Sequence, residues 1–192
     1  MRELAVLLCA IGLLVPFERN GRWGYKDAGG NVVIPPRFEI AQEFSPEGIA
    51  AVVDEKGWAY IDTSGKLVIR PLVVDNGPDY FHEGLARFAR DGKIGFFDRR
   101  GRVAIQPRYA YAMPFSEGRA AVCDSCVEMQ DGEHRRVTGG RWGFIDARGR
   151  LAIPLQFEEA GAFENGRARV RLGANWQYVR KDGSIAREKA PR

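Results

Sequence analysis

The sequence contains few of the residues and none of the short motifs that usually carry catalysis. Among its 192 residues there are two histidines and three cysteines. There is no G-x-S-x-G nucleophile elbow, no H-E-x-x-H zinc motif, no phosphate-binding loop and no dinucleotide fingerprint. These absences argue against the common hydrolase, zinc-protease and nucleotide-dependent classes. The prediction is a chain without catalytic residues, bound metal or cofactor.

Long hydrophobic runs are also lacking, and the single candidate spans Leu4 to Val15. This run has twelve apolar or small residues, follows one basic residue and precedes Pro16. A membrane-spanning helix needs about 20 apolar residues, so no integral membrane span is expected. The length suits the core of a secretory signal. Residues 1–16 are therefore predicted to be a signal peptide of an exported protein, periplasmic or extracellular; the alternative is a cytoplasmic protein in which this segment is a buried helix or strand.

Excess charge of one sign is lacking through most of the chain, although the net charge is +4. Arg167 to Arg192 contains eight basic and two acidic residues, and the remaining 166 residues contain 21 basic and 23 acidic ones. The positive charge thus belongs to the C-terminal end, where a solvated tail is the simplest interpretation. No nucleic-acid partner is expected.

Helical periodicity is absent after residue 20, and a repeat takes its place. Short aromatic strands recur as WGYKD, WAYID, IGFFD, WGFID and WQYVR. Their first residues lie 35, 36, 48 and 34 residues apart, and they are Trp23, Trp58, Ile94, Trp142 and Trp176. Aromatic and β-branched residues favour strands, so the repeat predicts an all-β chain.

Each of the first four aromatic strands is followed by a turn that Asp opens and Gly closes. An Asp side chain at this position bonds nearby backbone amides, and Gly accepts the left-handed backbone that ends such a turn. One carboxylate per turn is too few for a calcium loop. We therefore interpret the carboxylates as turn-forming, and they are Asp27, Asp62, Asp98 and Asp146.

Two further elements complete each unit. After each Asp–Gly turn comes a second strand, which we call the return strand, with an isoleucine at the same position of each unit. A proline follows, which either ends the pairing of the strand or lies at a sheet edge. A loop of the type F-S-E-G leads into a strand with alternating small and apolar residues, for example A-x-V. Three short strands cannot bury a core alone, so neighbouring units must stack. The predicted units lie near 22–56, 57–92, 93–140 and 141–175, with a partial unit at 176–186.

The repeated unit resembles the WG-repeat family of bacterial proteins. The resemblance rests on W-G-[FY]-[IK]-D-x-x-G-x-[VL]-x-I-P, followed by F-x-E-G and A-x-V, and covers residues 17–186. Departures are Ala59, Ile94 and Gln177. The resemblance implies a tandem all-β array within a single domain, 17–192, often in secreted or envelope proteins, and it implies no common reaction or ligand. An open twisted array is favoured over a propeller-like ring.

One insertion interrupts the repeat at residues 125–138, and the C-x-x-C pair Cys123 and Cys126 lies at its start. In an exported chain a local disulfide between Cys123 and Cys126 is the simplest interpretation, and the alternatives are free thiols and a metal or redox site with His134. The residues predict a hairpin that turns near Asp131 and Gly132, with Arg135 and Arg136 on its exposed arm.

These observations predict a non-catalytic binding or scaffold module that recognises a protein or envelope partner. The repeat surface and the inserted hairpin are its candidate binding surface, with Arg135, Arg136 and His134 as candidate contacts. The alternatives are a metal- or thiol-dependent protein centred on Cys123, Cys126 and His134, and a purely structural envelope component.

Overall fold

A computed structural model describes residues 14–131 and 134–186, and all of its regular structure is β. No helix occurs in these two ranges, so the all-β prediction is confirmed. In chain order the strands are β1 (Val15–Arg19), β2 (Arg22–Lys26), β3 (Val32–Phe38), β4 (Ile40–Ala41), β5 (Ile49–Asp54), β6 (Gly57–Asp62), β7 (Leu67–Ile69), β8 (Val73–Val74), β9 (Gly77–Pro78), β10 (Leu85–Arg90), β11 (Lys93–Asp98), β12 (Val103–Tyr109), β13 (Tyr111–Ala112), β14 (Ala120–Cys123), β15 (Val127–Asp131), β16 (His134–Thr138), β17 (Trp142–Ile145), β18 (Leu151–Phe157), β19 (Glu159–Glu164), β20 (Arg167–Leu172), β21 (Asn175–Arg180) and β22 (Ile185–Ala186).

The strands form small antiparallel sheets in which hydrogen-bonded neighbours follow one another along the chain. Within the described residues no sheet closes into a barrel. The first to fifth sheets are β1-β2-β3, β4-β5-β6-β7, β10-β11-β12, β13-β14-β17-β18 and β19-β20-β21-β22, and two-stranded ribbons are β8-β9 and β15-β16.

The predicted N-terminal segment overlaps the first strand. Val15 and Pro16 belong to β1, and Leu14 is buried in the hydrophobic core formed by the first and second sheets. Residues 1–13, which carry most of the predicted signal sequence, lie outside the described residues. The prediction of a cleaved signal peptide therefore remains a prediction.

Each larger sheet after the first crosses the boundary between two sequence repeats. Its aromatic strand pairs with the A-x-V strand of the preceding unit, as in the pairing of Cys123 with Trp142 and of Arg171 with Trp176. A single sequence unit therefore lacks one of the two strands with which its own aromatic strand pairs. This is a physical reason for the tandem arrangement, because hydrogen bonds as well as apolar contacts depend on the neighbouring unit.

The glycine of the W-G pair makes room for a bulge in the return strand. Trp142 pairs with Phe157 and Phe144 with Ile153, so residues 154–156 lie opposite Gly143 alone. A Cβ atom on Gly143 would lie 2.6 Å from the Ile153 carbonyl oxygen. The prolines of these return strands lie in edge strands, one of the two predicted alternatives, and the strands continue through them.

The second repeat has Ala59 in place of this glycine, and its return strand is short. β7 ends at Ile69, whereas the corresponding strands of the first, third and fourth repeats are each seven residues long. The chain divides into two compact units at this point, one ending at Ile69 and the other beginning at Arg70. The loss of the glycine therefore coincides with the loss of the bulged extension.

Within the first unit, apolar residues of β2, β3, β5 and β6 form one core, which includes Tyr25, Ile34, Phe38, Val52 and Ile61. In the second unit the fourth sheet is buried on both faces. One face packs against the third sheet through Ala120, Val122 and Ile145. The opposite face packs against the fifth sheet through Ala121, Cys123, Trp142, Phe144, Ile153 and Phe157.

Recurrent glutamates link consecutive repeats of the second unit. Glu83 accepts a hydrogen bond from the Gly118 amide at 2.9 Å, and Glu117 accepts one from the Gly166 amide at 2.9 Å. The Lys181 ammonium and the Gly166 amide lower the pKa of Glu117. These glutamates therefore act in repeat stacking.

The turn aspartates accept backbone hydrogen bonds, which confirms their predicted structural role. Asp27 accepts from the Asn31 amide at 2.9 Å, and Asp146 accepts from the Arg150 amide at 3.0 Å. Hydrogen bonds from Asn31, first of its side chain and then of its backbone, lower the pKa of Asp27. For Asp146 the Arg150 amide is the largest cause of a lowered pKa.

Acidification is expected to lower the melting temperature because these pKa values are depressed in the folded state. Their contribution to stability is fully present above the unfolded-state pKa of about 3.9, and it disappears as the pH falls through the lower folded-state value. Asp146→Asn retains an acceptor oxygen but cannot titrate, so its melting temperature should fall less steeply with acid. Asp146→Ala, which removes the acceptor, should be less stable at neutral pH. An acid dependence of Asp146→Asn equal to that of the parent would contradict this assignment.

Candidate binding surface

The inserted segment forms a two-stranded ribbon, β15–β16, which we call the inserted hairpin. Its strands pair from Val127 with Thr138 to Asp131 with His134. The predicted hairpin and the position of its turn agree with this register, and residues 132–133 lie outside the described range. The ribbon is a sheet of its own and does not extend the β14–β17 ladder.

A disulfide lies where the inserted hairpin leaves the fourth sheet. It joins Cys123 and Cys126, whose Cα atoms are 5.8 Å apart. Both cysteines are buried, and the corner around them is tight, since a Cβ atom on Gly140 would lie 2.6 Å from the Cys123 sulfur. Of the sequence alternatives the structure thus contains the disulfide. In this form neither sulfur is a thiolate, the state that binds metals or acts as a nucleophile.

Asp124 provides a second connection at the base of the inserted hairpin. Its carboxylate accepts hydrogen bonds from the Arg141 amide at 3.1 Å and from the Ser125 hydroxyl at 2.9 Å. The Arg141 amide and then the Ser125 hydroxyl lower the pKa of Asp124. The Asp124–Arg141 hydrogen bond therefore connects the two ends of the insertion, and the disulfide restrains the first of these ends.

The two faces of strand β15 differ. Val127 and Met129 are 60% and 55% exposed and share one face, because alternate residues of a strand point the same way. Glu128, on the other face, lines a cleft of about 590 Å³. The ribbon therefore presents two large apolar side chains to solvent.

The candidate contacts lie on the second strand of the inserted hairpin. In β16, His134, Arg135 and Arg136 pair with Asp131, Gln130 and Met129 of β15. Their side chains lie outside the described part of the structure, so their role as contacts remains a prediction. In the described part no group of three or more His, Cys, Asp or Glu residues is arranged to hold a metal ion.

Sequence reasoning missed a buried ion pair beside this cleft. Asp79 and Arg87 are 2% and 9% exposed, and the guanidinium Nη2 lies 2.7 Å from the Asp79 carboxylate. The same carboxylate accepts hydrogen bonds from Arg87 Nε at 3.0 Å and from the Arg87 amide at 2.7 Å. Arg87 Nη1 also donates to the Ala112 carbonyl at 3.0 Å. The pair ties β10 to the segment that follows the β8–β9 ribbon.

A signal for this pair exists in the repeat alignment. Arg87 occupies the strand position that Ala51 and Ala121 occupy in the first and third units, and both alanines are buried. An arginine at a position where sibling repeats bury alanine requires a partner. The partner, Asp79, follows an irregular stretch in which Asp75 and Asn76 have positive φ and form the ribbon turn.

Comparison with protein-family models gives four matches to the WG containing repeat, at residues 23–58, 58–93, 94–124 and 142–176. Together they cover more than half of the chain. This chain belongs to the WG containing repeat family. The third WG repeat match ends at residue 124 and the fourth begins at residue 142, so the inserted hairpin lies between matched WG repeats.

Other comparisons add no functional argument. No curated protein matches this WG-repeat chain. Among solved structures it is similar to a chain described as "Crystal structure of the eukaryotic initiation factor", with 13% sequence identity and a TM-score of 0.40. The match covers 93% of this chain and 52% of that chain, so this chain spans about half the length of the solved one. Within the described residues there is no helix with the length and apolar character needed to cross a membrane.

Proposed function

We propose that this WG-repeat chain is a non-catalytic binding module that recognises a protein partner through the inserted hairpin. The observation that carries the proposal is the exposure of Val127 and Met129 on a ribbon anchored by the Cys123–Cys126 disulfide. Neighbouring apolar side chains exposed together on one face are a feature of surfaces that bind partners. His134, Arg135 and Arg136 on the neighbouring strand are proposed to supply polar contacts around them.

Under this proposal, the disulfide restrains the base of the inserted hairpin. A two-stranded ribbon alone is marginally stable in water, so a binding ribbon must be held at its base. Cys123–Cys126 and Asp124 provide that restraint. Recognition by a restrained ribbon loses less conformational entropy on binding than recognition by a mobile loop.

We further propose that the protein works outside the cytoplasm. Disulfides persist in oxidising compartments, and a buried Cys123–Cys126 bond fits such a location. Cell fractionation, together with blocking of free thiols before lysis, tests this directly. Recovery of the chain in the cytoplasm with both cysteines reduced would overturn the proposal of export.

The binding proposal is tested with a chain whose insertion is replaced by the repeat's own short turn. Residues 124–141 are exchanged for the Arg-Asp-Gly-Lys sequence of residues 90–93, which joins β10 to β11, and Cys123 is changed to alanine as at residue 89. A second variant, Val127→Asp with Met129→Asp, keeps the ribbon but removes its apolar face. Affinity capture followed by mass spectrometry compares each with the parent.

A partner enriched by the parent should be lost from both variants. Leu151→Asp is the matched control, because Leu151 is also exposed but lies on β18, and it should retain the partner. Circular dichroism establishes that each variant is folded. Equal enrichment by the parent and the short-turn chain, or no enriched protein at all, would exclude the inserted hairpin as the binding surface.

A further inference from the structure

The fifth sheet has a cationic outer face formed by β20 and β21. Arg167, Arg169 and Arg171 alternate along β20 and therefore lie on one face of the sheet. On the same face, Arg169 pairs with Tyr178 and Arg171 with Trp176 across the ladder. The other face of this sheet, with Ala168, Val170 and Val179, is buried against the fourth sheet.

The corresponding face of the fourth sheet is not exposed, because the fifth sheet covers it. Ala121 and Cys123 occupy in β14 the positions of Arg169 and Arg171, and they are buried under the fifth sheet. Trp142 is 4% exposed there, whereas its equivalent Trp176 is 42% exposed. The last repeat thus presents the face that an earlier repeat uses for stacking, with arginines in place of small residues.

The guanidinium groups on this face are held by stacking. Arg169 lies 4.2 Å from the centre of the Trp176 ring, and Arg167 lies 4.3 Å from the centre of the Tyr178 ring. A guanidinium stacked on a ring keeps its N–H edge free for a carboxylate. Within the described residues neither Arg167 nor Arg169 forms an ion pair.

The register of the neighbouring strands sets the charge around Arg167. It lies directly opposite Arg180 of β21 and, on its other side, opposite Glu164 of β19; like charges at opposed positions of a ladder repel each other. Arg171 is the member of the row with a carboxylate partner, Glu159, at 2.8 Å. An anionic ligand would relieve the repulsion between Arg167 and Arg180, which gives this face a preference for negative charge.

We propose that the outer face of the fifth sheet binds an extended acidic segment of a polypeptide. Alternate residues of a strand lie about 7 Å apart, which sets the spacing of Arg167 and Arg169. An extended peptide with carboxylates at every second residue presents them at the same spacing and on one side. Stacked guanidiniums form charge-assisted hydrogen bonds with such carboxylates. This surface belongs to a different sheet from the inserted hairpin, so either surface can fail its test without the other.

The test uses the full chain and a synthetic peptide that alternates Glu and Thr. A second peptide has the same composition with all Glu residues first, and oligothymidylate supplies a phosphate polymer. Binding is measured by fluorescence anisotropy at low and moderate salt. The variant is Arg167→Gln with Arg169→Gln; Arg100→Gln with Arg148→Gln removes the same charge from exposed turn positions of other repeats.

The alternating peptide should bind more tightly than the block peptide and more tightly than oligothymidylate, and salt should weaken its binding. Loss of both stacked arginines should weaken it by about tenfold or more, whereas the control pair should change it much less. Absence of peptide binding would show that the arginines only keep this face polar, which would overturn the proposal. Equal binding of both peptides, an unchanged affinity of the Arg167/Arg169 variant, or tighter binding of oligothymidylate would also overturn the proposal.

Discussion

Replacement of Asp79 by alanine is expected to destabilise the protein by about 3–5 kcal/mol, the usual cost of removing one partner of a buried ion pair. Arg87 would then remain in a site where it is 9% exposed, and its amide and guanidinium would each lose the carboxylate acceptor. Urea unfolding of the parent and of Asp79→Ala gives the difference in the free energy of unfolding.

The matched control is the double variant Asp79→Ala with Arg87→Ala. Sibling repeats bury alanine at the position of Arg87, so removal of both charges should recover much of the lost stability. A double variant as unstable as the sum of the single ones would contradict a direct coupling. A loss below about 1 kcal/mol in Asp79→Ala would mean that water from the neighbouring cleft solvates the guanidinium sufficiently.

Substitution of Gly143 by alanine is expected to cost about 3 kcal/mol, at the upper end of ordinary overpacking effects. The added Cβ would lie 2.6 Å from the Ile153 oxygen and 2.7 Å from the Pro154 oxygen. Both are backbone atoms of the bulged return strand, so neither can move aside without disrupting the ladder. Thermal and urea unfolding should both show the loss.

Gly161→Ala serves as the control for Gly143→Ala. Gly161 also lies in a strand, but a Cβ there would meet its nearest neighbour, the Arg169 oxygen, at an ordinary 3.6 Å. The control should be neutral or stabilising by up to about 1 kcal/mol, because alanine reduces the entropy of the unfolded chain. Similar effects of the two substitutions would refute the steric explanation for a glycine at position 143.

The Asp79 prediction concerns a position at which one repeat differs from the other repeats of the chain. The Gly143 prediction concerns a glycine of the repeat motif that is required for steric reasons. Ala59 illustrates the second case, since the repeat that lacks the glycine also lacks the long return strand. Arg87 illustrates the first, since a charged residue replaces a buried alanine. Comparison of repeats within one chain therefore provides controls that a non-repetitive protein does not offer.

The candidate binding surface was only partly accessible to sequence reasoning. The interruption of the repeat located the inserted hairpin and its turn. The distance from the glycine of the F-x-E-G loop to the next aromatic strand is 10 residues from Gly84 to Ile94 and from Gly166 to Trp176, but 24 residues from Gly118 to Trp142. The orientation of Val127, Glu128 and Met129 could not be assigned, since it depends on the register of β15 with β16. The disulfide was the favoured interpretation of Cys123 and Cys126, and the structure adds the distance between them that allows the bond.

The sequence by itself determined the all-β class, the length of the repeat, the turns at residues such as Asp27 and Asp146, and the place of the insertion. These features depend on local chemistry: the period of two, the hydrogen-bonding range of an Asp side chain and the backbone freedom of glycine. Only the tertiary structure decided that sheets cross the repeat boundaries, that Arg87 meets Asp79, and that Trp176 and its arginines remain uncovered. Those outcomes depend on which distant segments pack together, and residue types along the chain do not specify such long-range pairings by themselves.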